Sequence, residues 1–152
     1  HAILWHACAS MSDTAPPMLV LEDDAVFCHA DFAKRVGRLV EKVEAAFPAA
    51  ERSCLLYLGG DVMAWRADDE ALGLGSALRE CEYIYQTSSY VLWPAAARKL
   101  LTELPVNGPV DCFLSRLLLE RKLRAFYARP RLVVQAAPYA NGDIDHTNVY
   151  KE

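Results

Sequence analysis

The stretch Met18-Leu19-Val20-Leu21-Glu22-Asp23-Asp24 sets four apolar residues directly against three carboxylates. A short apolar run preceded by turn formers, here Pro16-Pro17, predicts a strand buried in a sheet. Beyond such a strand the chain leaves the sheet at its carboxyl edge, where open α/β sheets bind ligands. Adjacent carboxylates repel one another, and a hard divalent cation with oxygen ligands relieves that repulsion. On pattern alone two readings stay open: a metal site serving a phosphate-bearing substrate, or a solvated acidic turn.

Working outward, residues 2–10 read as the end of a helix and 11–17 as a connector. A long helix is predicted over 31–47, with Asp31 at its N-cap and Pro48 as its stop. Phe32, Val36, Leu39, Val40, Val43 and Phe47 share one face, and Lys34, Arg35, Arg38, Glu41, Lys42 and Glu44 fill the other. A second apolar strand over 54–58 ends in Gly59-Gly60-Asp61, and 63–80, with Gly73 and Gly75, reads as a loop or lid. Strand character returns over 82–93, interrupted by Gln86-Thr87-Ser88-Ser89. Pro94 opens a helix over 94–104. The turn Asn107-Gly108-Pro109 precedes a helix over 110–123 that aligns Leu114, Leu117 and Leu118. Short strands over 124–128 and 132–135 lead to a polar tail over 136–152. The order α-β-α-β-loop-β-α-α-β predicts one α/β domain over 1–152, a layered sheet flanked by helices.

The 152 residues suffice for one domain with a real core, and the composition, 53% hydrophobic and 24% charged, is that of a globular α/β protein. A formal net charge of −4 argues against a nucleic-acid partner. No apolar run approaches the ~20 residues that span a bilayer, so no transmembrane segment is expected. The start, His1-Ala2-Ile3-Leu4-Trp5, has neither an initiator Met nor a basic leader and reads as part of a longer protein. Cys8, Cys28, Cys54, Cys81 and Cys112 form no CxxC pair, so zinc spacing is missing. Most are expected to be small buried hydrophobes, with one disulfide left open.

Several segments, in this order, resemble glycosyltransferase family 25, which includes lipooligosaccharide and collagen galactosyltransferases. They are Leu19-Val20-Leu21-Glu22-Asp23-Asp24-Ala25, Leu56-Tyr57-Leu58-Gly59-Gly60, Thr87-Ser88-Ser89-Tyr90-Val91-Leu92, Ala96-Ala97-Arg98-Lys99-Leu100-Leu101 and Pro109-Val110-Asp111-Cys112-Phe113-Leu114. His1, with Leu4-Trp5 behind it, resembles the close of the family's serine-histidine helix motif. The resemblance implies a GT-A-like, Rossmann-like mixed sheet lacking the first strand-helix unit, which either lies upstream of His1 in the parent protein or is missing from a degenerate copy. It implies an inverting transfer of galactose or glucose from a UDP-sugar to a glycan or protein hydroxyl, with Mn²⁺ or Mg²⁺ as cofactor. The compartment would be cytoplasmic for a bacterial-type parent and the ER or Golgi lumen for a eukaryotic one.

By position, the resemblance makes Asp24 the metal ligand, with Asp23 and Glu22 as further ligands or groups that hold one. Glu22 and Asp24 would project to the same side of an extended chain. Asp145 and His146, within Asp143-Ile144-Asp145-His146-Thr147, are candidates to complete the shell, against a plain polar tail. Asp111 is the candidate general base that takes the acceptor proton, against a role as helix N-cap. Gly59 and Gly60 allow close backbone approach to substrate and Asp61 offers it a hydrogen bond, against a plain tight turn, and Thr87 and Tyr90 offer it hydrogen bonds, against plain strand packing. Trp65 would stack on a sugar or dock on its own core. His6 and His29 carry no assignment. Two other functions compete: a catalytically inactive interaction or scaffold domain of the same fold, and a receiver-like phosphoryl-transfer domain.

Overall fold

Alternate residues of the central strands go to opposite layers, and that alternation builds the core. The computed structural model describes residues 1–66 and 74–136. Its elements run α1 (Ala2–Ala9), β1 (Met18–Leu21), β2 (Ala25–Phe27), α2 (Phe32–Ala46), a 3₁₀ turn (Ala49–Glu51), β3 (Cys54–Tyr57), β4 (Asp61–Trp65), β5 (Leu78–Tyr85), β6 (Ser89–Leu92), α3 (Pro94–Thr102), α4 (Val110–Leu119), β7 (Arg124–Ala128) and β8 (Val133–Gln135). A six-stranded mixed sheet has the order β1-β6-β3-β7-β5-β4, and β2 and β8 form a separate antiparallel ribbon. β3 pairs parallel with β7, and the other pairs of the main sheet are antiparallel.

From the centre of this sheet Leu55, Tyr57, Tyr90, Leu92, Ala125 and Tyr127 enter one layer, with Trp5 of α1, Leu100 of α3 and Leu114 and Leu117 of α4. Leu56, Val91, Trp93, Phe126 and Ala128 enter the other, under Leu39 and Val43 of α2. Neighbouring residues of one strand thus serve different layers, as a period of two demands. The expected mixed α/β sheet flanked by helices is what the chain forms.

Several local expectations change. β1 is an edge strand: Val20 is buried, but Leu19 and Leu21, on its other face, are 40% and 38% exposed. The span read as a loop or lid, 63–80, contains the end of β4, which pairs with β5, and the start of β5, which pairs with β7; residues 67–73 lie outside the described residues. Charged side chains disguised this hairpin. Glu80 is almost fully buried, yet Arg124 forks onto it with Nε to Oε1 at 3.0 Å and the second guanidinium nitrogen to Oε2 at 2.6 Å. Arg66 Nε lies 3.3 Å from Glu80 Oε1, and the other end of Arg66 reaches Glu82 at 3.3 Å and the Leu118 carbonyl at 3.1 Å. Asp31 stands at the N-cap of α2 without a side-chain capping bond; its carboxylate accepts from Arg35 instead. None of the five cysteines forms a disulfide among the described residues; three are buried and two exposed. Among the described residues no helix is long and apolar enough to cross a membrane.

The end of β3 is tightly packed. The Leu58 carbonyl accepts from the N–H groups of both Leu132 and Val133, at 2.7 and 3.0 Å. A Cβ on Gly59 would stand 2.4 Å from the Val133 carbonyl oxygen, closer than any side chain allows. Gly59→Ala is therefore expected to lower stability by about 1–3 kcal/mol. Gly37, in mid-helix with open space at its Cβ position, should behave oppositely, Gly37→Ala adding up to about 1 kcal/mol. Urea unfolding of the two variants checks both signs. Glu80→Ala leaves Arg66 and the partly solvated Arg124 without their shared carboxylate and should cost about 3 kcal/mol, read from the same titration.

Candidate active site

β1 and β3 run in the same direction, both antiparallel to β6 between them, so their carboxyl ends meet the start of β6. Leu21 lies opposite Ser89, and Tyr57 opposite Tyr90. The turn 86–88 immediately before β6 therefore sits among everything that leaves β1 and β3. Gln86 adopts a left-handed φ of 70°, which redirects the chain out of β5.

Glu22 is held by this turn. Its N–H donates to the Ser88 carbonyl at 3.0 Å, and its Oε1 accepts the Thr87 hydroxyl at 2.5 Å. The same oxygen lies 3.3 Å from Nε2 of His1, whose Nδ1 is 2.9 Å from the Tyr90 hydroxyl. Trp5 Nε1 can only donate, and does so to that hydroxyl at 3.0 Å. The Tyr90 hydroxyl and the Glu22 carboxylate thus hold the two ring nitrogens of His1. Burial, with Glu22 adding to it, pushes the Tyr90 phenol up to about 12, so it stays a neutral link in this chain.

The acidic triplet does not stay extended. The Ala25 N–H bonds back to the Glu22 carbonyl at 3.2 Å, so residues 22–25 form a turn and Glu22 and Asp24 do not project together. Asp23 is exposed. Asp24 turns toward the β2–β8 ribbon: its Oδ2 accepts the Gln135 amide at 3.1 Å, and its carbonyl accepts Ala136 N–H at 2.7 Å. Its Oδ1 is sealed from solvent without a hydrogen-bond partner. Burial, then the charges of Glu22 and Asp23, raise the Asp24 carboxyl above its ordinary value.

Gln86 joins two further carboxylates. Its side-chain amide donates to Asp61 Oδ2 at 3.0 Å, and its backbone N–H donates to Asp111 Oδ2 at 3.3 Å. Asp111 occupies the first turn of α4, two places after the N-cap residue Pro109, so it is not the cap. Its other oxygen accepts the Cys112 N–H at 2.8 Å, and the helix N-terminus favours its charge. Asp61 opens β4 rather than closing β3. Gly60 takes a φ of 109°, which glycine adopts readily.

The structure thus brings Asp61 and Asp111 together through Gln86, and Glu22 and Thr87 together beside them. Asp24 lies on the ribbon side. Thr87 and Tyr90, expected to meet substrate, are buried and spend their hydroxyls on Glu22 and on the His1–Trp5 pair. Asp145 and His146 lie outside the described residues. Among the described residues, no three His, Cys, Asp or Glu side chains gather closely enough to hold a metal. Gln86 and Gln135 carry no sequence signal beyond being polar residues beside strands, and only the fold reveals them. An open cleft of about 490 Å³ adjoins Asp61, lined by Gly60, Val62, Trp65, Tyr127, Arg129 and Arg131 among others.

The chain is 31% identical over 129 residues, 76% of its length, to procollagen galactosyltransferase 2 of Homo sapiens, and covers 20% of that protein. It is 36% identical over 136 residues, 80% of its length, to a probable inactive glycosyltransferase 25 family member 3 of Bos taurus, and covers 21% of it. The chain therefore spans about a fifth of the length of the curated relatives it matches. No family model and no solved structure matches it. The motif order at the strand ends and these two likenesses agree, and the chain belongs to glycosyltransferase family 25.

Proposed function

We propose that this chain carries the catalytic edge of a metal-dependent, inverting glycosyltransferase. It would move a hexose, galactose or glucose, from a UDP-sugar to a hydroxyl of a glycan or protein acceptor. The observation that carries the reading is the convergence of Asp61 and Asp111 on Gln86, beside the acidic turn and an open cleft. One relative is named a procollagen galactosyltransferase, which supports the sugar and a protein acceptor.

In this reading Asp111 removes the acceptor proton. Two backbone N–H bonds fix the orientation of its carboxylate, so a hydroxyl can be aligned against it. Asp61 keeps one oxygen on Gln86 and has the other for a sugar or acceptor hydroxyl. Asp24 is the metal ligand of choice: a sealed, unpartnered oxygen and a raised proton affinity are what a cation would relieve. Glu22 and Asp23, and Asp145 or His146 from the tail, would complete the shell with diphosphate oxygens, since Mg²⁺-class ions are often held by one or two carboxylates plus phosphate. The ion, when bound, stabilises negative charge on the departing diphosphate.

A second reading, an inactive interaction domain of the same family, is favoured by one relative's name and by the lack of a three-ligand cluster among the described residues. Thermal unfolding with UDP and Mn²⁺ separates the two. A joint rise in Tm supports the enzyme, and no response to either, alone or together, supports the inactive domain.

Two variants sharpen this. Asp111→Asn should lower transfer about 10²–10⁴-fold while leaving the Tm response to UDP and Mn²⁺ intact; near-normal turnover would make Asp111 structural. For Asp24 the sign follows from its raised carboxyl. The folded state holds that proton more tightly than the unfolded chain, so the stability Asp24 contributes is present at acid pH and lost as pH rises through its folded pKa. At neutral pH Asp24→Asn should therefore raise the metal-free Tm and abolish the Mn²⁺-dependent increase. A metal-free Tm that falls would overturn this account of the carboxyl.

A further inference from the structure

The cleft beside Asp61 has a chemistry of its own. Trp65 forms one wall, with Tyr127 edge-on to it at 5.9 Å between ring centroids. The Arg129 guanidinium lies over the Trp65 ring, 5.7 Å from its centroid, and Arg79 sits 4.8 Å from the same centroid. Arg131 lines the cleft two residues on from Arg129, and both are exposed. Arg35, Arg52, Arg66, Arg98, Arg116 and Arg124 are each paired with a carboxylate. Among the described residues Arg129 and Arg131, like Arg38 and Arg121, have no such pair, and of these four only Arg129 and Arg131 line the cleft. Among the described residues that line the cleft, the one carboxylate, Asp61, has an oxygen occupied by Gln86. Two forked cations therefore face an open cavity in a chain whose net charge is −4.

We propose that this cleft binds an acidic saccharide, a sugar carrying a carboxylate or phosphate group, as part of the acceptor. Guanidinium groups pair with such anions through two parallel N–H···O bonds, and the stack on Trp65 holds one of them in place beforehand. Asp61 meets the sugar hydroxyls with its free oxygen, and the Trp65 and Tyr127 walls shelter the C–H faces. The cleft reaches the catalytic edge at Gly60 and Asp61, so an acid group held at Arg129 and Arg131 sets how far from it the reacting hydroxyl stands. The role as acceptor rests on the transferase reading, whereas the binding itself does not.

Calorimetric titration of the chain with methyl β-D-glucuronide, galactose 6-phosphate and neutral methyl β-D-galactoside tests the site. The two anionic sugars should bind at least about tenfold more tightly than the neutral one, the preference expected of a charged hydrogen-bonded contact. Arg129→Gln with Arg131→Gln should erase that preference. Arg131→Gln alone, at an exposed residue with no ion pair, should reduce it and keeps the test open if the double variant does not fold. Equal binding of the three sugars, no binding of any, or an unchanged preference in Arg131→Gln overturns the proposal. So does displacement of the anionic sugars by UDP, which would make the cleft a diphosphate site. The response of Tm to UDP and Mn²⁺ on the same sample reports separately on the transferase reading. Anionic-sugar preference without that response sinks the transferase and keeps the cleft, and the reverse result sinks the cleft alone.

Discussion

Backbone meets backbone at the end of β3, and the functional edge depends on that contact. Leu58 offers one carbonyl to two successive N–H groups, and Gly59 has no side chain to keep Val133 away. This closeness lays β8 across the end of the sheet. β8 carries β2 with it, and β2 continues directly from the acidic turn. Asp24 is thus clamped from the ribbon side through Gln135 and Ala136, while Glu22 is clamped from the sheet side through Thr87 and Ser88. Three like charges in sequence are pulled in two directions, which reduces the repulsion that a single extended cluster would carry.

The division of labour among these carboxylates follows from their surroundings. Glu22 accepts a hydroxyl proton and faces an imidazole, so its charge is satisfied by the protein. Asp61 and Asp111 share one glutamine and keep their alignment through it. Asp24 alone has a sealed oxygen with nothing to accept from. A fold that leaves such an atom unsatisfied bears a cost, which a cation bound in the proposed role would offset.

Where periodicity decides structure, the sequence could be read. The apolar face of α2, the central strand β3, the proline start of α3 and the leucine face of α4 all follow from spacing. Whether β1 is buried depends on what lies beside it, and no local pattern contains that. The β4–β5 hairpin was hidden because its charged residues satisfy one another across strands, Glu80 with Arg66 and Arg124, so a buried pair looks like a polar loop. β8 was legible as the strand over 132–135, whereas β2, three residues long, is too short for alternation to show. At the site, the residue types were legible but their company was not. Asp61 and Asp111 are far apart in sequence, and the group that unites them is the backbone and amide of Gln86 in a left-handed conformation.

The position of β3 also has a consequence for how the chain acquires its fold. Cys54 to Tyr57 pair on one side with β6 and on the other with β7, whose register sets Arg124 beside Cys54. A chain leaving the ribosome presents Leu55-Leu56-Tyr57-Leu58 long before either neighbour exists, and the last neighbour arrives only with residues 124–127. Pairings of such separation slow folding relative to a helical bundle, whose contacts are local. Until they form, a strand that is wholly buried in the finished protein stays an exposed apolar segment, of the kind a chaperone binds.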